Sequence, residues 1–417
     1  MPSTTALPSV ADVGSKVPNS ASRRYMSVDA LRGFDMFWII GADSLVYALN
    51  RMTHSRPTAL LADQLEHADW DGFHFYDLIF PLFVFIMGVS VVFSLSKALE
   101  RGGRKEAMKR LVRRGVLLFI IALIYSGGLT NAWPDMRLMG VLNRIALAYT
   151  FGGLLFCFFR ARALVGIAVA ILLGYWALLT CVPFPDVRPT PGGTAVITKE
   201  AGFTRVSQLN FASTNLVHGG YIQGVNLVNY IDQKYLPGRK YDGTYDPEGL
   251  LSTLPAVVTC LLGIFAGMLL RSTEFCDRWK VIYLLSFGVG GVLLGSLWGL
   301  EFPVIKKIWS SSFVLVAGGY SAILLGVFYQ LVDVWKFQKW CQPFVWMGMN
   351  SLTVYLANNF LGGFRKLAPR FVGGDVKIFL ESHLGTGAGE MAISVTGLIL
   401  AFSFVYFLYR RQIFLRI

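Results

Sequence analysis

Residues 75–96 read FYDLIFPLFVFIMGVSVVFSLS, and residues 97–114 read KALERGGRKEAMKRLVRR. The first run is apolar enough and long enough to cross a bilayer, which takes about 20 such residues. The second holds eight Lys and Arg, the excess that marks the cytoplasmic flank of a span. An apolar run closed by a basic block predicts a membrane-spanning helix and its direction, with the Asp77 end outward and the basic end inward.

The rest of the chain repeats the pattern. Of 417 residues, 54% are hydrophobic and 15% charged, with a mean hydropathy of +0.53; an ordinary soluble domain has about 25% charged residues. That composition excludes a cytosolic enzyme, a secreted disulfide module and a disordered chain. The net charge of +13 would suit nucleic acid, but no basic, aromatic-interleaved soluble segment goes with it, and the partner implied is membrane lipid. Apolar segments of span length occur at roughly 30–49, 75–96, 111–129, 139–159, 163–182, 251–270, 281–300, 311–332, 343–361 and 391–409. The predicted fold is an all-α polytopic membrane protein, about ten transmembrane helices in one bundle, with both termini cytosolic and an irregular extracytoplasmic loop around 183–250. Residues 1–24, polar and rich in Ser and Pro, read as a mobile cytosolic tail, and residues 25–417 as one transmembrane domain. Lys306, Lys307 and the 362–390 loop run against the charge rule. Of the five cysteines only Cys181 approaches the outer side, so no disulfide framework is expected. Gly263 and Gly267, like Gly291, Gly295 and Gly299, form small faces for close helix contact.

Ionisable groups are costly in lipid and are functional candidates wherever they occur. They gather around the first two spans: Asp29, Arg32, Asp35 and Asp43, then Glu66-His67-Ala68-Asp69-Trp70-Asp71-Gly72, then Asp77. Asp43 and Asp77 stand at outer helix ends, flanking the loop that carries His67. A carboxylate beside an imidazole holds it in one tautomer and makes it a better base near neutral pH; an interfacial histidine bonded to water or backbone is the plainer alternative. No His-Glu-x-x-His or Cys-x-x-Cys pair occurs, so no metal is expected. Arg144, one to two turns into the fourth span, needs an interior partner: an ion pair with Asp77 or Asp43, or a substrate. Asp29 and Arg32 are spaced to pair. Arg32 with Arg104, Lys105, Arg110, Arg113 and Arg114 can equally hold an anionic cofactor arriving from the cytosol, whereas topology alone also explains the basic stretch.

Six segments then occur in one order over residues 27–360: Ser27-Val-Asp-Ala-Leu-Arg-Gly33; His67-Ala-Asp-Trp-Asp-Gly72 running on to Asp77-Leu-Ile-Phe-Pro-Leu-Phe-Val-Phe-Ile-Met-Gly88; Gly140-Val-Leu-Asn-Arg144; Tyr245-Asp-Pro-Glu-Gly-Leu-Leu251; Lys307-Ile-Trp-Ser310; and Gly348-Met-Asn-Ser351. In that combination the chain resembles the heparan-α-glucosaminide N-acetyltransferase family of transmembrane acetyltransferases. The resemblance implies an acyltransferase domain over 25–417 that takes acetyl from cytosolic acetyl-CoA to the amine of a glucosamine-type sugar or glycan across the membrane. It implies that His67 is catalytic with Asp77 beside it, and that Arg144 matches an arginine of the family's fourth-span motif. Asp43 stands where the family has an asparagine of the site. The resemblance also suggests a homodimer, which the glycine faces permit. No Asn-x-Ser/Thr sequence occurs, so the expected location is a bacterial cytoplasmic (inner) membrane.

A thioester is already activated, so the protein has to position it, accept a proton and stabilise an oxyanion. His67 would act as general base or as acetyl carrier. Trp70 and Trp309, both in family motifs, are candidate faces for a sugar ring, and Asp246, Glu248 and Asn226 candidate partners for its hydroxyls. Asn350 and Ser351 would line the CoA entrance or serve helix packing. An O-acyltransferase of an envelope glycan would use the same base, and a sugar or organic-anion transporter would also need buried acids.

Overall fold

The computed structural model of this chain describes residues 25–185 and 216–415. The tail reading at 1–24 and the middle of the 183–250 loop lie outside the described residues. Every segment predicted to be an apolar span is helical. The first is α1 (Met26–Phe37), a π turn (Trp38–Ala42) and α2 (Asp43–Thr53), broken at Gly41, whose φ of 110° no L side chain adopts readily. A short α3 (Arg56–Gln64) follows, capped by Ser55, and then α4 (Phe75–Tyr125). After these come α5 (Val141–Phe158), α6 (Ala161–Cys181), the strand pair β1 (Phe184–Pro185) and β2 (Leu216–Val217), and α7 (Leu227–Tyr235). The remainder is α8 (Thr253–Arg271), α9 (Asp277–Trp298), α10 (Ser311–Phe328), α11 (Gln342–Met349), α12 (Ser351–Phe360), three short helices α13 (Phe364–Leu367), α14 (Pro369–Val372) and α15 (Asp375–Leu384), and α16 (Ala388–Arg410). Seven of the described helices are long and apolar enough to cross a membrane. One of them, α4, holds two of the predicted spans, and the first and ninth predicted spans are each broken into shorter helices.

The predicted inner loop at 97–110 is helix. The 51-residue α4 is interrupted only at Gly103 (φ 69°, ψ −171°), where the chain doubles back. Leu95 and Leu111 both close on Gly153 of α5, although an unbroken helix would hold them about 24 Å apart. Hydropathy marks this stretch polar because it leaves the bilayer, not because it leaves the helix.

Glycines let backbones touch. A Cβ on Gly88 would lie 2.1 Å from the Cys260 carbonyl oxygen, and one on Gly263 would lie 1.9 Å from that of Phe85, so α4 and α8 meet main chain to main chain. Gly291 and Gly295 seat Leu315 and Val316 of α10 in the same way. The first and last family-like segments also meet: Gly33 abuts the Phe344 carbonyl and Gly348 abuts that of Asp29. The five cysteines are free.

Candidate active site

Four loops close over the bundle end from which α4 starts. Asp77 sits in the first turn of α4 and caps it, one carboxylate oxygen (Oδ2) accepting the backbone N–H groups of His74 (3.1 Å) and Ala68 (3.2 Å). The other, Oδ1, lies 2.8 Å from His67 Nδ1 and 3.2 Å from Lys306 Nζ. One carboxylate thus starts a helix, ties down a loop and holds an imidazole. Lys306 reaches it because Gly72 N–H donates to the Val304 carbonyl (3.0 Å), which joins the His67 loop to the 299–310 loop. Trp70 Nε1 donates to the Tyr221 carbonyl (2.7 Å), and Lys307 pairs with Asp242 (3.1 Å), which brings in the 216–252 segment. Arg137, in the fourth loop, donates through Nε and Nη2 to the two oxygens of Asp246 (2.8 and 2.7 Å) and through Nη2 to Glu248 (2.7 Å). A fork-to-fork pair of this kind fixes orientation as well as charge.

Beneath these loops lies a cavity of about 410 Å³. His67, Asp77, Trp70, Glu248 and Trp309 line it, together with Met36, Ile39 and Phe83. Trp309 is fully buried with a left-handed backbone (φ 53°), pinned by a hydrogen bond from Nε1 to Thr259 (3.1 Å) and by ring contacts with Phe80 and Phe313. Burial lowers the Lys306 ammonium from its ordinary value against the pull of Asp77, and it pushes Glu248 up to about 7 against the charges of Arg144 and Arg137.

The other expected site residues fall elsewhere. Asp43 does not line the cavity; it begins α2 beside the Gly41 break, where its Oδ1 accepts the Ser44 N–H (2.9 Å). Arg144 makes no ion pair with Asp77 or Asp43. It is buried behind Trp309, 4.8 Å from that ring's centroid, and bonds Ser252. Asp246 is buried as the anchor of Arg137 and leaves Glu248 as the carboxylate facing the cavity. Asn226 is the buried N-cap of α7, bonded to Asn229 (2.9 Å), so it offers nothing to a sugar. Asn350 and Ser351 mark the break between α11 and α12, one residue short of the cavity-lining Leu352, rather than the inner end of a span. Arg32 donates to Asp29 (3.3 Å), to the Gly348 carbonyl (3.3 Å) and to Ser90 Oγ (2.5 Å). Arg104 and Lys105 flank the Gly103 turn at the far end of the bundle, Arg110 pairs with Glu106 (2.8 Å), and Arg114 stacks on Tyr149; Arg113 is on the same arm. Among the described residues, no three His, Cys, Asp or Glu gather as metal ligands.

Sequence reasoning missed Arg137, whose partners lie 109 and 111 residues away; it gives Lys306 only as an exception to the charge rule, and Lys307 as that and as the start of a family-like segment. That exception was the signal: both lysines that run against the charge rule are paired with acids, Lys306 with Asp77 and Lys307 with Asp242.

Residues 24–189 match the family model described as heparan-alpha-glucosaminide N-acetyltransferase, catalytic. The heparan-alpha-glucosaminide N-acetyltransferase of Mus musculus is 27% identical over 396 residues, 85% of this chain and 56% of that protein. The Homo sapiens protein of the same name is 29% identical over 334 residues, 70% of this chain and 48% of that protein. The chain therefore spans about half the length of the curated relatives it matches. The family model covers the first three of the six segments, and the segments at 245–251, 307–310 and 348–351 lie outside its match.

Proposed function

We propose that this chain is a transmembrane acetyltransferase that takes acetyl from acetyl-CoA to the amine of a glucosamine-type sugar. The observation that carries the reading is the His67–Asp77 pair: with Nδ1–H donating to Oδ1 at 2.8 Å, Nε2 keeps its lone pair inside the cavity. The catalytic-region match and the printed names of both relatives support the same reaction. In it, the acceptor nitrogen attacks the thioester carbonyl, His67 Nε2 takes the amine proton, the C–S bond breaks, and the departing thiolate is protonated. Asp77 keeps the tautomer and stabilises the imidazolium. Trp70 and Trp309 offer walls to the sugar ring, and Glu248 offers a carboxylate to its polar groups.

The route for acetyl-CoA follows helix faces. Arg32 and Met36 are spaced i, i+4 on α1, with Ile39 in the π turn that follows, and Phe83 and Ser90 are spaced i, i+7 on α4, so each helical pair shares a face. The faces that carry the cavity-lining Met36 and Phe83 therefore continue to the Arg32–Ser90 contact, about 10 Å further along α4. A slender pantetheine arm fits such a seam. Arg32 and the basic residues Arg104, Lys105, Arg110, Arg113 and Arg114 are the candidate partners of the CoA phosphates, with Asn350 and Ser351 beside the route. The basic end is taken as cytosolic, with both termini on that side, the acceptor entering from the loop end, and a bacterial cytoplasmic membrane as the setting.

The test is incubation of the purified protein with isotope-labelled acetyl-CoA and glucosamine, followed by mass spectrometry of the sugar. The expected product is labelled N-acetylglucosamine, absent with His67→Ala even though acetyl-CoA still raises that variant's melting temperature. Label on a hydroxyl, or undiminished transfer by His67→Ala, overturns the reading.

A further inference from the structure

We infer that Lys306 is a catalytic residue whose ammonium stabilises the oxyanion formed on the acyl carbonyl when the acceptor attacks; the inference rests on the acetyl-transfer reading above. Its Nζ lies 3.2 Å from Asp77 Oδ1, 3.0 Å from His67 Nδ1 and 3.4 Å from His67 Nε2. An ammonium has three N–H donors and no acceptor. Asp77 Oδ1 takes one of them. His67 Nδ1 carries the proton it gives to Asp77, so it accepts nothing, and Nε2 must keep its lone pair for the amine. Asp77 Oδ2 already holds the Ala68 and His74 amides. Two donors of Lys306 are left for the cavity that it lines.

Among the described residues, the other cations that line the cavity are held by acids, and Arg144 does not line it. Arg137 is held by Asp246 and Glu248, Lys307 by Asp242, and Arg144 lies behind Trp309 on Ser252. The indole N–H groups of Trp70 and Trp309 are taken by Tyr221 and Thr259. Position agrees with this accounting. An amine hydrogen-bonded to Nε2 sits about 3 Å from it, and the acyl carbon it attacks lies next to that nitrogen. The carbonyl oxygen then falls within reach of a cation 3.4 Å from Nε2. The Lys306 loop is also fixed before reaction, by Gly72 N–H on the Val304 carbonyl (3.0 Å) and by Ser310 Oγ on that of Pro303 (2.8 Å); donors that need no reorganisation are the effective ones.

In the step concerned, the amine lone pair forms the C–N bond and the carbonyl π electrons move onto oxygen, facing Lys306. The amine proton goes to His67 Nε2. Collapse restores the carbonyl, breaks the C–S bond and releases CoA thiolate, which His67 protonates. Lys306 gains and loses no proton.

The test compares acetyl-CoA with fluoroacetyl-CoA as donors for the wild type, Lys306→Met and Lys306→Gln. Fluorine withdraws electrons and stabilises the oxyanion by itself, so the reaction leans less on the protein. Lys306→Met is expected to lower kcat with acetyl-CoA by about 100-fold or more, to leave both KM values within about threefold, and to lose markedly less with fluoroacetyl-CoA. Lys306→Gln, which keeps a neutral donor, should fall between. An unchanged kcat, or an equal loss with both donors in either variant, overturns the inference; the equal loss would mean that Lys306 acts only by placing Asp77. If Lys306→Met does not fold, the donor dependence of Lys306→Gln decides. A wild type that transfers no acetyl at all refutes the proposed function instead.

Discussion

Asp77→Asn replaces one carboxylate oxygen by an amide nitrogen, and the geometry leaves the new side chain no satisfactory orientation. Four donors meet the carboxylate: His67 Nδ1 (2.8 Å) and Lys306 Nζ (3.2 Å) on one oxygen, the Ala68 (3.2 Å) and His74 (3.1 Å) amides on the other. If the amide oxygen keeps the two backbone N–H groups, its NH2 faces His67 and Lys306. His67 Nδ1 must then accept, its proton moves to Nε2, and the base is gone. If the amide turns over, two backbone N–H groups meet an NH2 and the turn holding His67 opens. Either way two charge-assisted hydrogen bonds of about 1.5–3 kcal/mol each are lost. Water replaces part of this, because the His67 side chain is 53% exposed, and we expect a net destabilisation of about 2–3 kcal/mol. The effect on rate is larger. Losing the working tautomer lowers kcat by about 10³–10⁴, or about 4–5 kcal/mol at 1.36 kcal/mol per decade. The assay is steady-state release of CoA thiol in detergent or nanodiscs, with KM for acetyl-CoA measured alongside. A kcat within tenfold of wild type would refute the assignment of Asp77 as the group that holds His67.

Three further outcomes follow from the geometry. Burial raises Glu248 above the usual carboxylate range, so its charge is gained as pH rises and lost earlier than usual as pH falls; with that charge binding the acceptor, Glu248→Gln should raise acceptor KM about tenfold at pH 8 and progressively less as pH falls, and a difference independent of pH counts against that role. Arg32→Gln, which loses the contacts to Asp29, Gly348 and Ser90, should raise acetyl-CoA KM about tenfold; unchanged KM there and in variants neutralising Arg104, Lys105 and Arg110 would move the CoA site elsewhere. Gly263→Ala puts a Cβ 1.9 Å from the Phe85 carbonyl oxygen, a helix backbone atom that cannot swing away, and should cost about 1–3 kcal/mol, read as a lower Tm; Gly290→Ala, with nothing within 4 Å, should show no such loss.

The sequence made the bundle and half of the site legible. Apolar runs find the spans because hydropathy is a local property, and His67 and Asp77 are close enough in the chain for their pairing to be anticipated. Asp43 looked equivalent to Asp77 by position, but the break at Gly41 and the start of α2 leave it bonded to Ser44. Arg144 was read correctly as an interior residue and wrongly as an ion-pair partner, because a stack on Trp309, 165 residues later in the chain, leaves no local trace. Arg137, Lys306 and Lys307 were hidden for the same reason: their acids stand on other elements of the fold, and only tertiary structure shows that a charge is engaged. The breaks at Gly41 and Asn350 also escaped a hydropathy reading, which sees an apolar run and cannot see where its helix stops.

The doubled-back α4 changes how the chain will meet a protease. Residues 97–114 hold eight Lys and Arg, the densest tryptic sequence in the protein on paper. Trypsin, however, binds its substrate extended, and here the scissile bonds lie in helix on both sides of a single turn residue, with Ala107 and Leu111 both 0% exposed. Cutting there requires unwinding an arm from the core, so cleavage will follow the free energy of local opening rather than the count of basic residues. A sidedness map built on tryptic nicks would pass over the segment that best marks the charged face, and a small reporter tag inserted after Gly102 or Gly103 would serve that purpose better.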